Sequence, residues 1–281
     1  LFNNRGKAYY KQENYAAALP DFTLAISKNG QYVIAYENRG MTYYKTEKFD
    51  EAAKDFRMVE KLTEKPDVSL YQLLGETYYN MKKYAAALAY FDKVIAAGVK
   101  DKNIFYKRAL MLVESGDYAA AIVDFESAQK AGENTVELYL NLGRAHISNN
   151  DTKSAVMVLN KALDLDPKNV SALFNRALVK EAIEDYESAV SDYNKVLQLN
   201  PNDALAYYNR ATCKAGLDDY GAGVSDMDEA IRLDPKNASY YKQRGNFYYQ
   251  LKEKDKACFD WRKAVEFGDA KARFQIDSYC K

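Results

Sequence analysis

One histidine, three cysteines and 40 acidic side chains are the residues in this 281-residue sequence that could do catalysis or hold a metal. Their spacing argues against both. Zinc sites and acid–base sites need several such groups to converge, and no second histidine or suitably spaced cysteine accompanies His146. His146 stands where Tyr9, Tyr43, Tyr78, Leu112 and Tyr248 stand elsewhere in a recurring pattern, which predicts a core position. No glycine-rich phosphate loop is present, because the 13 glycines recur at a packing period and do not cluster. The expectation is a non-catalytic chain with no cofactor and no metal.

The cysteines are Cys213, Cys258 and Cys280. If a helical hairpin turns near Gly268, antiparallel helices bring Cys258 and Cys280 to similar height. Two outcomes stay open: a disulfide, which needs Cα atoms within about 7 Å, or two reduced, buried thiols packing as small apolar groups. Compartment follows the same fork, extracytoplasmic with the bond and otherwise cytoplasmic.

Another set of residues could bind without reacting. Asn4, Asn38, Leu73, Lys107, Asn141, Asn175, Asn209 and Gln243 form a row at intervals of 34 or 35 residues. An amide both donates and accepts, so such a ladder can hold an extended peptide by its main chain without demanding particular side chains. Asn141, Asn175 and Asn209 are its best contiguous platform; Leu73 and Lys107 break it. Met41 and Lys45, with Arg144, Ser148 and Thr212, flank the stripe and would supply specificity. The alternative is that asparagine serves helix packing at this position.

Helices must position that row. A small anchor residue recurs at Gly6, Gly40, Gly75, Ala109, Gly143, Ala177, Ala211 and Gly245. Sixteen residues after each anchor stand Phe22, Phe56, Phe91, Phe125, Leu159, Tyr193, Met227 and Trp261. The interval is 34 residues except for 35 between Gly40 and Gly75, and the extra residue falls near Lys65-Pro66-Asp67. Apolar residues within each copy follow helical spacing, as in Tyr36, Gly40, Tyr43 and then Ala52, Phe56, Val59, so each copy reads as two amphipathic helices. Asp166-Pro167, Asn200-Pro201 and Asp234-Pro235 mark hard boundaries, because the residue before proline is pushed out of helix.

This period and its signposts resemble the tetratricopeptide repeat over almost the whole chain. The resemblance implies an all-α, right-handed superhelix in one solenoid domain. Its repeats would span about 1–32, 33–67, 68–101, 102–135, 136–169, 170–203, 204–237 and 238–268, with a capping helix over 269–281. The amide row is similar to the asparagine ladder inside the tetratricopeptide superhelix of O-linked N-acetylglucosamine transferase. The basic clamp that chaperone-binding members use for a terminal carboxylate is not matched as a set. The ending, Ala257-Cys258-Phe259-Asp260-Trp261 through Tyr279-Cys280, looks like that of many bacterial members.

The implied function is a protein- or peptide-binding scaffold. The competing readings are an assembly module that self-associates through its first repeat, and the targeting arm of a larger enzyme. Leu1 precedes the first anchor by only five residues, so the chain is expected to open inside a helix with a segment before it. Forty basic and forty acidic side chains cancel, leaving no overall basic field for nucleic acid or an anionic membrane. No run approaches the roughly 18 apolar residues needed to cross a bilayer.

Three packing expectations complete the reading. Arg5, Arg39, Arg108, Arg176, Arg210 and Arg244 precede the anchor, and in the same units Asp21, Asp55, Asp124, Asp192, Asp226 and Asp260 precede the residue sixteen beyond it. The other two units have Leu74 with Tyr90 and Leu142 with Val158, so charge and countercharge vanish together. An arginine–aspartate pair within each unit is expected, against coincident surface charge. Pro20 predicts a kink in the second helix. The first member of each Tyr9-Tyr10, Tyr43-Tyr44, Tyr78-Tyr79 and Tyr248-Tyr249 pair should be core and the second should sit at a groove edge.

Overall fold

The computed structural model describes residues 1–280. Helices come in pairs, one pair per sequence unit. The pairs are α1 (Phe2–Lys11) with α2 (Tyr15–Lys28), α3 (Val33–Lys45) with α4 (Phe49–Leu62), and α5 (Val68–Asn80) with α6 (Tyr84–Ala96). Next come α7 (Lys102–Glu114) with α8 (Tyr118–Lys130), α9 (Val136–Ser148) with α10 (Thr152–Leu165), and α11 (Val170–Ala182) with α12 (Tyr186–Leu199). The last are α13 (Ala204–Gly216) with α14 (Tyr220–Leu233) and α15 (Ala238–Gln250) with α16 (Lys254–Glu266). No strand occurs among the described residues. The fold is an all-α solenoid of helix pairs. Contacts group the chain into two compact units, Leu1–Glu133 and another that starts at Asn134.

The anchor works by omission. A Cβ added at Gly6, Gly40, Gly75, Gly143 or Gly245 would come within 2.6 to 2.9 Å of the side chain sixteen residues later in the same unit. Phe56 therefore lies over its own Gly40, where the two helices of its pair cross, and also packs on Leu70 and Leu74 of the next pair. Gly223 explains itself the same way. It replaces the alanine that the other units carry as Ala18, Ala52, Ala87, Ala121, Ala155, Ala189 and Ala257, and a Cβ there would meet Phe247 at 3.1 Å. The corresponding residues elsewhere are smaller than Phe247, such as Thr42, Thr77, Ala145 and Cys213, so the one glycine makes room for the one phenylalanine.

All six arginine–aspartate pairs are formed, each through two parallel N–H···O bonds of 2.5–2.8 Å. The aspartates are buried, and bidentate geometry satisfies both oxygens. The hydrogen bond from each guanidinium raises the pKa of Arg39 and Arg108. Burial pushes the Asp192 carboxyl up, but Arg176 and Lys180 outweigh it and hold it below the usual carboxylate range. A further contact escaped the sequence reading. The free Nη1 reaches back to the preceding pair, donating to Thr23 from Arg39, Asp92 from Arg108, Asn160 from Arg176, Asn194 from Arg210 and Asp228 from Arg244. One side chain thus ties three helices.

Turns inside the units share a left-handed residue at Glu13, Glu47, Lys82, Gly116, Asn150, Glu184, Asp218 and Lys252. Glycine holds that place only once, and side-chain caps such as Asp117, Asp151 and Asp219 start the next helix. α2 continues through Pro20 as one helix over Tyr15–Lys28. The second tyrosine of three pairs packs on the aromatic that opens its own second helix, Tyr10 on Tyr15, Tyr44 on Phe49 and Tyr79 on Tyr84, with ring centroids 5.5–6.0 Å apart.

The C-terminal segment is shorter than the helix expected over 269–281. A 3-10 turn (Ala270–Ala272) leads into α17 (Arg273–Tyr279), and Lys281 lies outside the described residues. Ile276 packs on Ala257, Cys258 and Trp261, and the Tyr279 ring lies 4.6 Å from that of Tyr249. Cys258 and Cys280, with Cα atoms 5.7 Å apart, are joined by a disulfide, so the bonded alternative replaces the reduced one.

Candidate functional site

His146 and Cys213 are placed for packing. His146 is buried, with Nδ1 3.3 Å from the Asp151 carboxylate but without hydrogen-bond alignment. Cys213 is fully buried, and burial pushes its thiol up to about 12, away from the reactive thiolate. No cluster of three His, Cys, Asp or Glu that could hold a metal occurs among the described residues.

The amide row divides once side chains are placed. In the unit that begins at Asn134, a cavity of about 540 Å³ opens along α9 and α11 and reaches the start of α13. Asn141, Arg144 and Asn175 line it, together with the apolar Leu140, Phe174 and Leu205. Helical spacing brings these together: Leu140, Asn141 and Arg144 fall on one face of α9, and Phe174 and Asn175 repeat the first two on α11. Leu205 is 49 % exposed, so apolar surface faces the opening. Arg144 stands apart from the six clasp arginines because no carboxylate pairs with it. Of the two acids on the rim, Asp203 caps α13 by accepting from the Ala206 amide, and Glu137 sits in the first turn of α9, where the helix dipole favours negative charge.

Asn209 does not join them. It is only 8 % exposed and does not line the cavity. Two substitutions lie beside it: Tyr193 replaces the usual phenylalanine with a ring whose buried hydroxyl needs a partner, and Glu181 replaces a tyrosine. Tyr193 donates to Glu181 at 3.1 Å, and after burial that carboxylate is the next cause that pushes the Cys213 thiol up. Of the expected three-asparagine platform, Asn141 and Asn175 line the cavity and Asn209 does not.

The remaining candidates are scattered in role. Asn4 is exposed on α1 and Lys45 at the end of α3. Asn38 donates to the buried Asn3 at 2.9 Å, Lys107 lies 3.8 Å from Glu76, and Gln243 accepts from Asn246. Met41 and Leu73 line a separate recess in the first unit. The residues the sequence reading missed belong to the row just before the amides, Glu37, Leu140 and Phe174 among them. Its signal was its variety, since a row that changes chemistry from copy to copy is not fixed by packing.

Sequence models of the tetratricopeptide repeat match residues 3–67, 73–135, 112–177 and 204–237, and one of the TPR repeat matches 182–212. The chain belongs to the tetratricopeptide repeat family. Among solved structures, this tetratricopeptide chain is similar to MamA (41-end) from Desulfovibrio magneticus RS-1, at 23% identity and TM-score 0.58, covering 60% of this chain and 97% of that one. It is also similar to a tetratricopeptide repeat protein from Parabacteroides merdae, at 18% identity and TM-score 0.56, covering 89% and 99%. At these identities the likeness is one of fold. No curated protein matches the chain. None of its described helices is long and apolar enough to cross a membrane.

Proposed function

We propose that the chain is a non-catalytic scaffold that binds an extended protein segment in the groove formed by α9, α11 and the start of α13. The observation that carries this reading is an unpaired guanidinium, Arg144, set beside two amides and exposed apolar surface in one cavity. Arg144 follows its anchor, whereas the six arginines that precede theirs are each committed to an aspartate sixteen residues on. Asn141 and Asn175 would bond the main chain of the segment, Leu140, Phe174 and Leu205 would take an apolar side chain, and Arg144 would meet a carboxylate next to it.

A random linear-peptide library selected on the full chain tests the reading. Selected peptides should carry Asp or Glu beside an apolar residue. The Asn141→Ala/Asn175→Ala double variant should bind them roughly 10- to 100-fold more weakly at unchanged melting temperature, each lost hydrogen bond being worth about 0.5–1.5 kcal/mol. Equal binding by the double variant would sink it.

A further inference from the structure

The interval that breaks the period also builds a recess. The loop from α4 to α5 runs Thr63-Glu64-Lys65-Pro66-Asp67, one residue longer than the loop after α2, α10, α12 or α14. Against that loop, the first unit has a cavity of about 390 Å³, within the roughly 300–1,000 Å³ of small-ligand pockets. Met41, Val59, Leu70 and Leu73 give it apolar walls. Leu73 stands where the neighbouring copies carry an amide or a cation, so the break in the ladder coincides with the pocket.

The opening holds one carboxylate without a commitment. Asp67 caps α5 by accepting from the Ser69 amide, whereas Glu37 has no hydrogen bond and no ion pair. Glu37 is exposed at the rim, and partial burial of its carboxyl raises its pKa with no ion pair to offset it. Lys65, also on the rim, is exposed and makes no ion pair with it. An apolar slot with a lone acid at its mouth suits an aliphatic stem that ends in a cation, because the stem is buried while the head meets the carboxylate.

We propose that this pocket is a second binding site, which takes the side chain of a lysine from a protein partner. The identity of the partner as a protein rests on the proposed function; the chemistry of the pocket is tested without it. The test titrates n-pentylammonium, pentan-1-ol and pentanoate into the full chain carrying labelled methionine and leucine methyl groups, and follows Met41 and Leu73 by NMR. Pentylammonium should saturate their shifts at about tenfold lower concentration than pentanol, one charge-assisted bond being worth at least that factor, and pentanoate should leave them unmoved. In Glu37→Gln the ammonium advantage should vanish while pentanol binds as before, which also shows that the variant is folded. Equal response to ammonium and alcohol in the unaltered chain would overturn the proposal. So would pentylammonium binding that appears only in Lys65→Ser, since the chain's own lysine would then be the occupant. Failure of peptide capture at Arg144 would leave these outcomes unchanged, so the two readings fail separately.

Discussion

The recess of the first unit and the groove of the second are built from the same two rows of the first helix in each pair, yet they present opposite chemistry. On α3 those rows supply Glu37 and an Asn38 already bonded to Asn3; on α9 and α11 they supply Leu140 with Asn141 and Phe174 with Asn175. The first site offers a lone acid over an apolar slot, the second a lone guanidinium among amides. The difference shows that packing rows and recognition rows vary independently. Glycine anchors and arginine–aspartate clasps recur in both units, while one added loop residue and a few outward substitutions reset what each face can bind.

The largest expected effect comes from breaking a clasp beneath one site. Asp55→Ala leaves the Arg39 charge part-buried without its partner and should cost about 4 kcal/mol in urea unfolding. The double variant Arg39→Leu/Asp55→Val copies the apolar solution of the unit that carries Leu142 with Val158, and should fall within about 1 kcal/mol of the parent. A double variant no better than the single one would show that the clasp does more than neutralise itself.

A feature of the second unit alone is its Cys258–Cys280 bond, which closes a sequence separation of 22 residues. Reduction should lower stability by about 3 kcal/mol by chain entropy, read as a drop in melting temperature with added reductant. Because the rings of Tyr249, Trp261 and Tyr279 pack on one another at a tilt beside it, the loss should also appear as increased tryptophan exposure in fluorescence. No change on reduction would mean that aromatic packing holds the C-terminal helix by itself.

A smaller effect sharpens the contrast between the faces. Leu73→Asn restores the amide that the ladder lacks, and should weaken pentan-1-ol binding in the first recess severalfold, as expected for roughly 1 kcal/mol of lost apolar contact. Peptide affinity in the second groove should not change.

Much of the fold was legible because each packing row repeats eight times. The anchors, the residues opposite them and the paired loss of arginine and aspartate can be read without coordinates. Gly223 and Phe247 were legible too, as the single exceptions in two rows, but only their contact shows that one answers the other. The site was less legible. Asn209 shares its register with Asn141 and Asn175, yet it is buried, beside a Tyr193 hydroxyl that donates to Glu181. Periodicity places a residue on a face; it does not report which neighbour claims its hydrogen bonds. The left-handed turn residue was hidden for a related reason, since seven of its eight occupants are not glycine.

The central claim, that Arg144 recognises a carboxylate in an extended segment, is tested most directly by a charge-swap cycle. A selected peptide is measured against the full chain and Arg144→Glu, each with the original acidic residue and with lysine in its place. Arg144→Glu should weaken the acidic peptide by at least tenfold and recover most of that loss with the lysine peptide, giving a coupling of about 1.5 kcal/mol or more. Additive effects, with no recovery in the swapped pair, would contradict the account.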